Sequence, residues 1–321
     1  MNAVEKRIHT LHQYKPALTL DPSAADQFWD KKLDLFKNKP LNARVERRDS
    51  LMNGVDTYHV AYEGFDETPV HGWFLVPSFL KKKSYPCLVM FPGYTADKGL
   101  PERYAAWLLQ GFAVFAVDVR GQGGETGNRL DYDAGTSTGW MTQNILDKDR
   151  CYYMAVTLDA YKAVEWAAGR PEVQASKIAV TGGSQGGGLS LITGALHEKV
   201  SLIVADIPNM CHMDFGVLNS VGSLKEAADF IKRNPDRLEP VFETLAHFDM
   251  MNLAHRIRVP VRMTVGLKDM VCWPETIFAA YNRIEGDKHI DVHPFSGHEV
   301  SERQQQEHRK YLAEWAREEQ A

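Results

Sequence analysis

Lys177-Ile178-Ala179-Val180-Thr181-Gly182-Gly183-Ser184-Gln185-Gly186-Gly187-Gly188 is the stretch that decides the fold. The apolar run from Lys177 to Thr181 reads as a buried strand, and Gln185 to His197 reads as a helix. The pentad Gly182-Gly183-Ser184-Gln185-Gly186 therefore stands where a strand turns into a helix. A serine there is held on strained backbone with its hydroxyl exposed, and the flanking glycines are needed because a side chain would collide with the neighbouring strand and helix. The helix N-terminus behind it offers N–H groups to a developing anion. A second match, Gly135-Thr136-Ser137-Thr138-Gly139, follows a polar stretch instead of a strand and is read as coincidence. The chain has no G-x-x-x-x-G-K-[ST], which argues against a phosphate cradle at Ser184.

Outward from the elbow, apolar runs at 57–62, 70–76, 87–91, 112–117, 201–205, 261–265 and 289–292 alternate with helical patterns at 101–110, 147–169, 274–283 and 302–319. Runs that lose their polar alternation are buried on both faces, as in a parallel sheet covered by helices, so the chain is expected to be α/β with a mostly parallel central sheet. Within 147–169, Val156, Ala160, Ala163, Val164 and Ala167 mark one buried helical face. Residues 1–50 read as a polar N-terminal arm with short helices such as Ala25 to Phe36. Residues 207–257 hold helical stretches at 224–233 and 239–248 without a strand, a helical insertion suited to capping a site. Residues 1–321 are expected to form one domain.

The chain has 321 residues, a formal charge of −5 and 44% hydrophobic residues, enough for a large core without staples. Its basic residues are scattered, and the short run Lys81-Lys82-Lys83 reads as a solvated turn, so a nucleic-acid surface is not expected. No stretch approaches the ~20 apolar residues of a membrane helix. The first ten residues lack the apolar core of a secretory signal, which points to a cytoplasmic protein. Cys87, Cys151, Cys211 and Cys272 are expected as buried free thiols. With no C-x-x-C and no H-E-x-x-H, neither a metal nor another cofactor is expected.

A serine at its ordinary pKa is a weak nucleophile and needs a base and an orienting acid. With this elbow the chain order is serine, acid, histidine, the last two on loops after C-terminal strands. The strand Pro260 to Val265 runs into Gly266-Leu267-Lys268-Asp269, and the strand His289 to Val292 into His293-Pro294-Phe295-Ser296-Gly297-His298. Ser184, Asp269 and His298 are the candidate triad, with His293 the competing base. The backbone N–H groups of Gln185 and Tyr94, the latter in the loop Phe91-Pro92-Gly93-Tyr94-Thr95, are the candidate oxyanion donors.

With Arg120-Gly121-Gln122, Gly182-Gly183-Ser184-Gln185-Gly186-Gly187, Gly266-Leu267-x-Asp269-x-x-Cys272 and His298-Glu299, the chain resembles carbohydrate esterase family seven over nearly its whole length. These are acetyl xylan esterases and cephalosporin C deacetylases of the α/β-hydrolase fold. The resemblance implies deacetylation of small acetylated sugars and of cephalosporin C, no cofactor, Tyr94 and Gln185 as oxyanion donors, and a hexameric homo-oligomer. It implies that Arg120 and Gln122 act as structural support beneath the nucleophile loop. Trp273-Pro274 stands where the family usually has Pro-Pro, and Pro208 to Met213 is more polar than usual. Pro208, Met210 and Trp273 are the expected pocket residues. Two other readings share the elbow: a peptidase of the prolyl-oligopeptidase type, which normally carries a large N-terminal domain, and a non-catalytic binding protein, which would have lost a triad member.

Overall fold

The computed structural model describes residues 1–133, 135 and 139–317, so the centre of the second pentad, Thr136-Ser137-Thr138, lies outside the described residues. Strands β1 (Arg44–Arg48), β2 (Asp56–Glu63), β3 (Pro69–Val76), β4 (Tyr85–Phe91), β5 (Ala113–Val117), β6 (Val173–Gly183), β7 (Leu202–Asp206), β8 (Val261–Gly266) and β9 (Lys288–His293) form one sheet in the order β1-β2-β3-β5-β4-β6-β7-β8-β9. From β5 to β9 every neighbouring pair is parallel, while β1, β2 and β3 join as an antiparallel flank. The helices are α1 (Ala3–His12), α2 (Pro22–Phe36), α3 (Ala105–Leu109), α4 (Tyr152–Ala168), α5 (Gln185–Leu196), α6 (Met213–Asn219), α7 (Lys225–Arg233), α8 (Leu238–Ala246), α9 (Met250–Leu253), α10 (Pro274–Tyr281) and α11 (Glu302–Arg317).

The solid apolar runs have the expected cause, because both faces of the parallel part are covered. Val89, Val180 and Ile203 pack with Leu189 and Ile192 of α5 on one face, and Leu88, Ala179 and Val204 pack with Leu312 and Trp315 of α11 on the other. The result is an α/β fold of the α/β-hydrolase type. No helix among the described residues is long and apolar enough to cross a membrane.

Four expectations are corrected. The arm contains β1, which pairs with β2 along its whole length yet exposes every residue; Arg-Val-Glu-Arg-Arg on a sheet edge leaves no apolar pattern to read. The fourth helix begins at Tyr152, not Asp147. Asp147 instead turns the chain, accepting from Asp149 N–H through its side chain at 2.9 Å. That helix is also buried almost all round, with only Tyr161, Glu165 and Ala168 outside the core. At 101–110 a single 3₁₀ turn precedes the short α3.

The arm is tied down by specific contacts. Asp21 caps α2 by accepting from Ser23 and Ala24 N–H, with Pro22 in the first turn. Trp29 is fully buried, donates from Nε1 to His247 O at 2.9 Å and meets Phe248 edge-on.

Candidate active site

The site is assembled at the C-terminal edge of the parallel strands. Ser184, between β6 and α5, has φ 57° and ψ −119°, a conformation an L-residue adopts only under constraint. The constraint is steric and lies in its neighbours. A Cβ on Gly186 would stand 2.1 Å from Phe91 O, one on Gly182 2.4 Å from the same atom, and one on Gly187 2.8 Å from Asp206 O. Two hydrogen bonds then lock the turn: Ser184 N–H donates to Asp206 O, and Ser184 O accepts from Asn209 N–H, each at 2.9 Å.

The acid and histidine loops are joined to each other before they meet the serine. Leu267 N–H donates to His293 O at 3.1 Å and Lys268 N–H to Ser296 O at 3.0 Å. Gly266 permits this approach, since a Cβ there would sit 2.5 Å from Gly297 O. The outcome is a continuous line of contacts, with His298 Nδ1 2.8 Å from Asp269 Oδ2 and His298 Nε2 3.0 Å from Ser184 Oγ. Asp269 is buried, and its other oxygen accepts from Val271 and Cys272 N–H at 2.8 and 2.9 Å, which fixes the carboxylate plane. The Cys272 thiol lies beside Ser184. Burial, and then the Asp269 charge, push its pKa well up, so it stays a neutral thiol.

Opposite this line runs the loop after β4. A Cβ on Gly93 would be 3.9 Å from Ser184 Cβ, which places the Tyr94 backbone beside the elbow, while Gln185 opens α5, where N–H groups lack intrahelical acceptors. Gln122 bridges the loop after β4 and the start of α5. Its Oε1 accepts from Thr95 N–H at 2.7 Å, and its Nε2 donates to Gln185 Oε1 at 2.9 Å and to Tyr152 Oη at 2.8 Å. Arg120 does not reach the nucleophile loop itself. It is fully buried, forks onto Asp159 of α4 and pairs with Asp66. Burial opposes its charge, but the two carboxylates more than offset this and raise its pKa. Tyr152, donating to Arg120 O at 2.6 Å, carries that support on to Gln122.

Of the expected pocket residues, Pro208 and Met210 pack against the glycines of α5. Trp273 is half-buried and donates from Nε1 to Asn219 O at 3.2 Å, with its ring edge-on to Phe215. His293, the competing base, is placed elsewhere; it lines a cavity of about 330 Å³ with Gln304 and His308, and His298 makes both contacts of the line. His212 turns to Tyr14 and Asp214.

Glu226 of α7 was not foreseen from the sequence. Tyr94 Oη donates to its carboxylate, with the two oxygens at 3.0 and 2.9 Å, and accepts from Trp140 N–H at 2.9 Å. Burial raises the Glu226 pKa, against the hydrogen bonds from Tyr94 and Met141, and burial also raises that of Tyr94. No local pattern marks Glu226 in the sequence, where it is one acidic residue in an amphipathic helix.

This arrangement is able to deprotonate a serine hydroxyl and hold the resulting imidazolium beside a helix N-terminus, which is the equipment of acyl transfer. A family model described as acetyl xylan esterase (AXE1) matches residues 1–317. An acetyl xylan esterase from Paenibacillus sp. R4 superposes with a TM-score of 0.90 at 38% identity, covering 95% of this chain and 98% of that one. Acetyl xylan esterase 1 from Thermoanaerobacterium sp. JW/SL YS485 gives 0.89 at 28% identity with the same coverage. Among curated proteins, acetyl esterase Axe7A of Xylanibacter ruminicola is 27% identical over 296 residues; the match takes in 87% of this chain and 64% of that protein's length.

Proposed function

The chain belongs to the acetyl xylan esterase family, and from that membership and the site geometry we propose that it is a serine carboxylic ester hydrolase removing acetyl groups from small acetylated carbohydrates and from cephalosporin C. The observation that carries the reading is the unbroken line Asp269–His298–Ser184, at 2.8 and 3.0 Å. With Nδ1–H donated to Asp269, the Nε2 lone pair of His298 accepts the Ser184 proton as Oγ attacks the acetyl carbonyl. Asp269 stabilises the imidazolium, and the oxyanion rests on Gln185 and Tyr94 N–H. The sugar oxygen leaves with the proton from His298. Water then repeats the sequence on the acetyl-serine and returns acetate, without a cofactor.

Four cysteines, all free and buried, support an intracellular setting. The exposed apolar side chains of Leu218, Val221, Met270 and Phe295, which come from the insertion and the two catalytic loops, suit a homo-oligomer that covers this rim, a hexamer by family resemblance. Light scattering checks it, and a monomer removes the assembly from the reading. Residues 1–321 are proposed to act as one domain, for which a single unfolding transition is expected.

The deciding experiment is acetate release from acetylated xylo-oligosaccharides, cephalosporin C and aryl acetate, butyrate and octanoate esters, with wild type and Ser184→Ala. Turnover confined to acetyl esters and lost in the variant is the expected result. A preference for octanoate overturns the acetyl assignment, and hydrolysis that survives Ser184→Ala overturns the mechanism.

A further inference from the structure

Away from Ser184, the antiparallel flank gathers a second group of chemistry-bearing side chains. His59 on β2 and His71 on β3 face the same side, because Ala61 pairs with His71 and His59 with Trp73, making the two imidazoles diagonal neighbours. Their ring centroids lie 5.2 Å apart and the planes differ by 30°. The loop after β5 brings Glu125 onto this pair, with Oε2 3.2 Å from His59 Nε2. One ligand atom from each of the three residues lies within 4.8 Å of the others.

A second observation concerns a residue of the same cluster. His71 Nδ1 is buried and has no hydrogen-bond partner among the described residues. A buried imidazole nitrogen is almost always partnered, and leaving it bare is costly. The charge balance leaves room for a cation. Lys98 Nζ lies 2.9 Å from Asp118 Oδ2 and 2.5 Å from Glu125 Oε2, so one ammonium faces two carboxylates and one negative charge is left over. Asp118 is held independently by Lys98 N–H and Glu125 N–H at 3.0 and 2.9 Å, so Lys98 keeps a partner if Glu125 turns away.

We propose that His59, His71 and Glu125 form a binding site for a divalent transition-metal ion of the zinc class. Two imidazoles and one carboxylate are borderline donors that suit Zn²⁺, Co²⁺ or Ni²⁺ over the oxygen-seeking Mg²⁺ and Ca²⁺. Around a tetrahedral zinc the ligand atoms stand ~3.4 Å apart. The closing movement falls to Glu125, whose side chain is more than half exposed, while the histidines are fixed by their strands. The ion would staple β2 and β3 to the loop that carries Arg120 and Gln122. Its expected effect is on stability, with the acyl-transfer chemistry carried elsewhere. In the order of the sheet, β3 is separated from β6 by β5 and β4.

The test is equilibrium dialysis of the chelator-stripped full-length protein against zinc chloride, repeated with cobalt chloride to read the visible bands of bound Co²⁺. Wild type and Ser184→Ala are expected to bind one ion at this site with equal affinity, and zinc is expected to raise Tm. His71→Ala and His59→Gln, each shown to be folded by circular dichroism without metal, are expected to weaken binding at least about 100-fold and to lose the Tm rise. Using two histidine variants guards against one of them failing to fold. Zinc binding unchanged in both variants, or no stoichiometric uptake by wild type at tens of micromolar zinc, overturns the proposal.

Discussion

At the end of β6 the backbone is held by contacts that one methyl group would break, whereas the segment 207–257 reaches the site through single hydrogen bonds from side chain and main chain. Gly182, Gly186 and Gly187 leave no room for a Cβ against Phe91 and Asp206, and Ser184 has its strained φ and ψ as a consequence. From the other region come the Glu226 carboxylate on Tyr94, Asn219 O on Trp273 and Asn209 N–H on Ser184 O. A backbone fitted this closely tolerates little, while a single hydrogen bond can be weakened by degrees. The difference predicts that substitutions at the triad abolish turnover and that substitutions in the insertion grade it.

The largest effect is expected for Ser184→Ala, a fall on the order of 10⁵–10⁶-fold in kcat for acetyl ester hydrolysis. Circular dichroism should be unchanged, since the methyl side chain keeps the elbow backbone. Asp269→Asn comes next, at about 10⁴-fold, because an amide facing His298 Nδ1 favours the tautomer that leaves no lone pair for Ser184. Burst kinetics with an aryl acetate locate this loss in acylation. A variant at Asp269 that kept a tenth of the activity would place the orienting group elsewhere.

The meeting of Ser184, His298 and Asp269 was legible because the strand-turn-helix pattern and the two strand ends constrain where the side chains can go. The parallel sheet was legible for a related reason: burial on both faces gives solid apolar runs such as 113–117. β1 was hidden because an edge strand with every residue exposed has no burial pattern to imprint on its sequence. The start of the fourth helix was misplaced because Asp147 supports either a helix or an Asx turn, and its contact with Asp149 N–H selects the turn. Gln122 entered through family resemblance; only the assembled chain shows it joining Thr95 to Gln185. Glu226 and the His59–His71–Glu125 group are long-range encounters, with no local spacing that could announce them.

Glu226→Gln is the graded counterpart to the triad variants. The amide oxygen still accepts from Tyr94 Oη, but the bond loses its charge assistance, about 1 kcal/mol, or roughly 5-fold. With Tyr94 N–H in its proposed role, donating to the oxyanion alone, the loss is expected in kcat with KM unchanged. A 10⁴-fold loss, equal to that of Asp269→Asn, would make the insertion as unforgiving as the elbow and break the contrast between them.

The smallest effect is a pH dependence of stability at the same residue. Burial raises the folded-state pKa of Glu226, ahead of the opposing hydrogen bonds from Tyr94 and Met141. A carboxyl raised on folding favours the native state in its protonated form. That contribution is complete below the unfolded value of about 4.3 and is lost as pH rises through the folded value. Glutamine carries no charge at any of these pH values and avoids the loss. The Tm of Glu226→Gln is therefore expected to gain on wild type between pH 4 and pH 8, even though the variant is the slower enzyme throughout. A Tm difference that stays constant over this range would mean that the carboxylate sits at the site without strain, and that the insertion meets the elbow through a contact as relaxed as a surface pair.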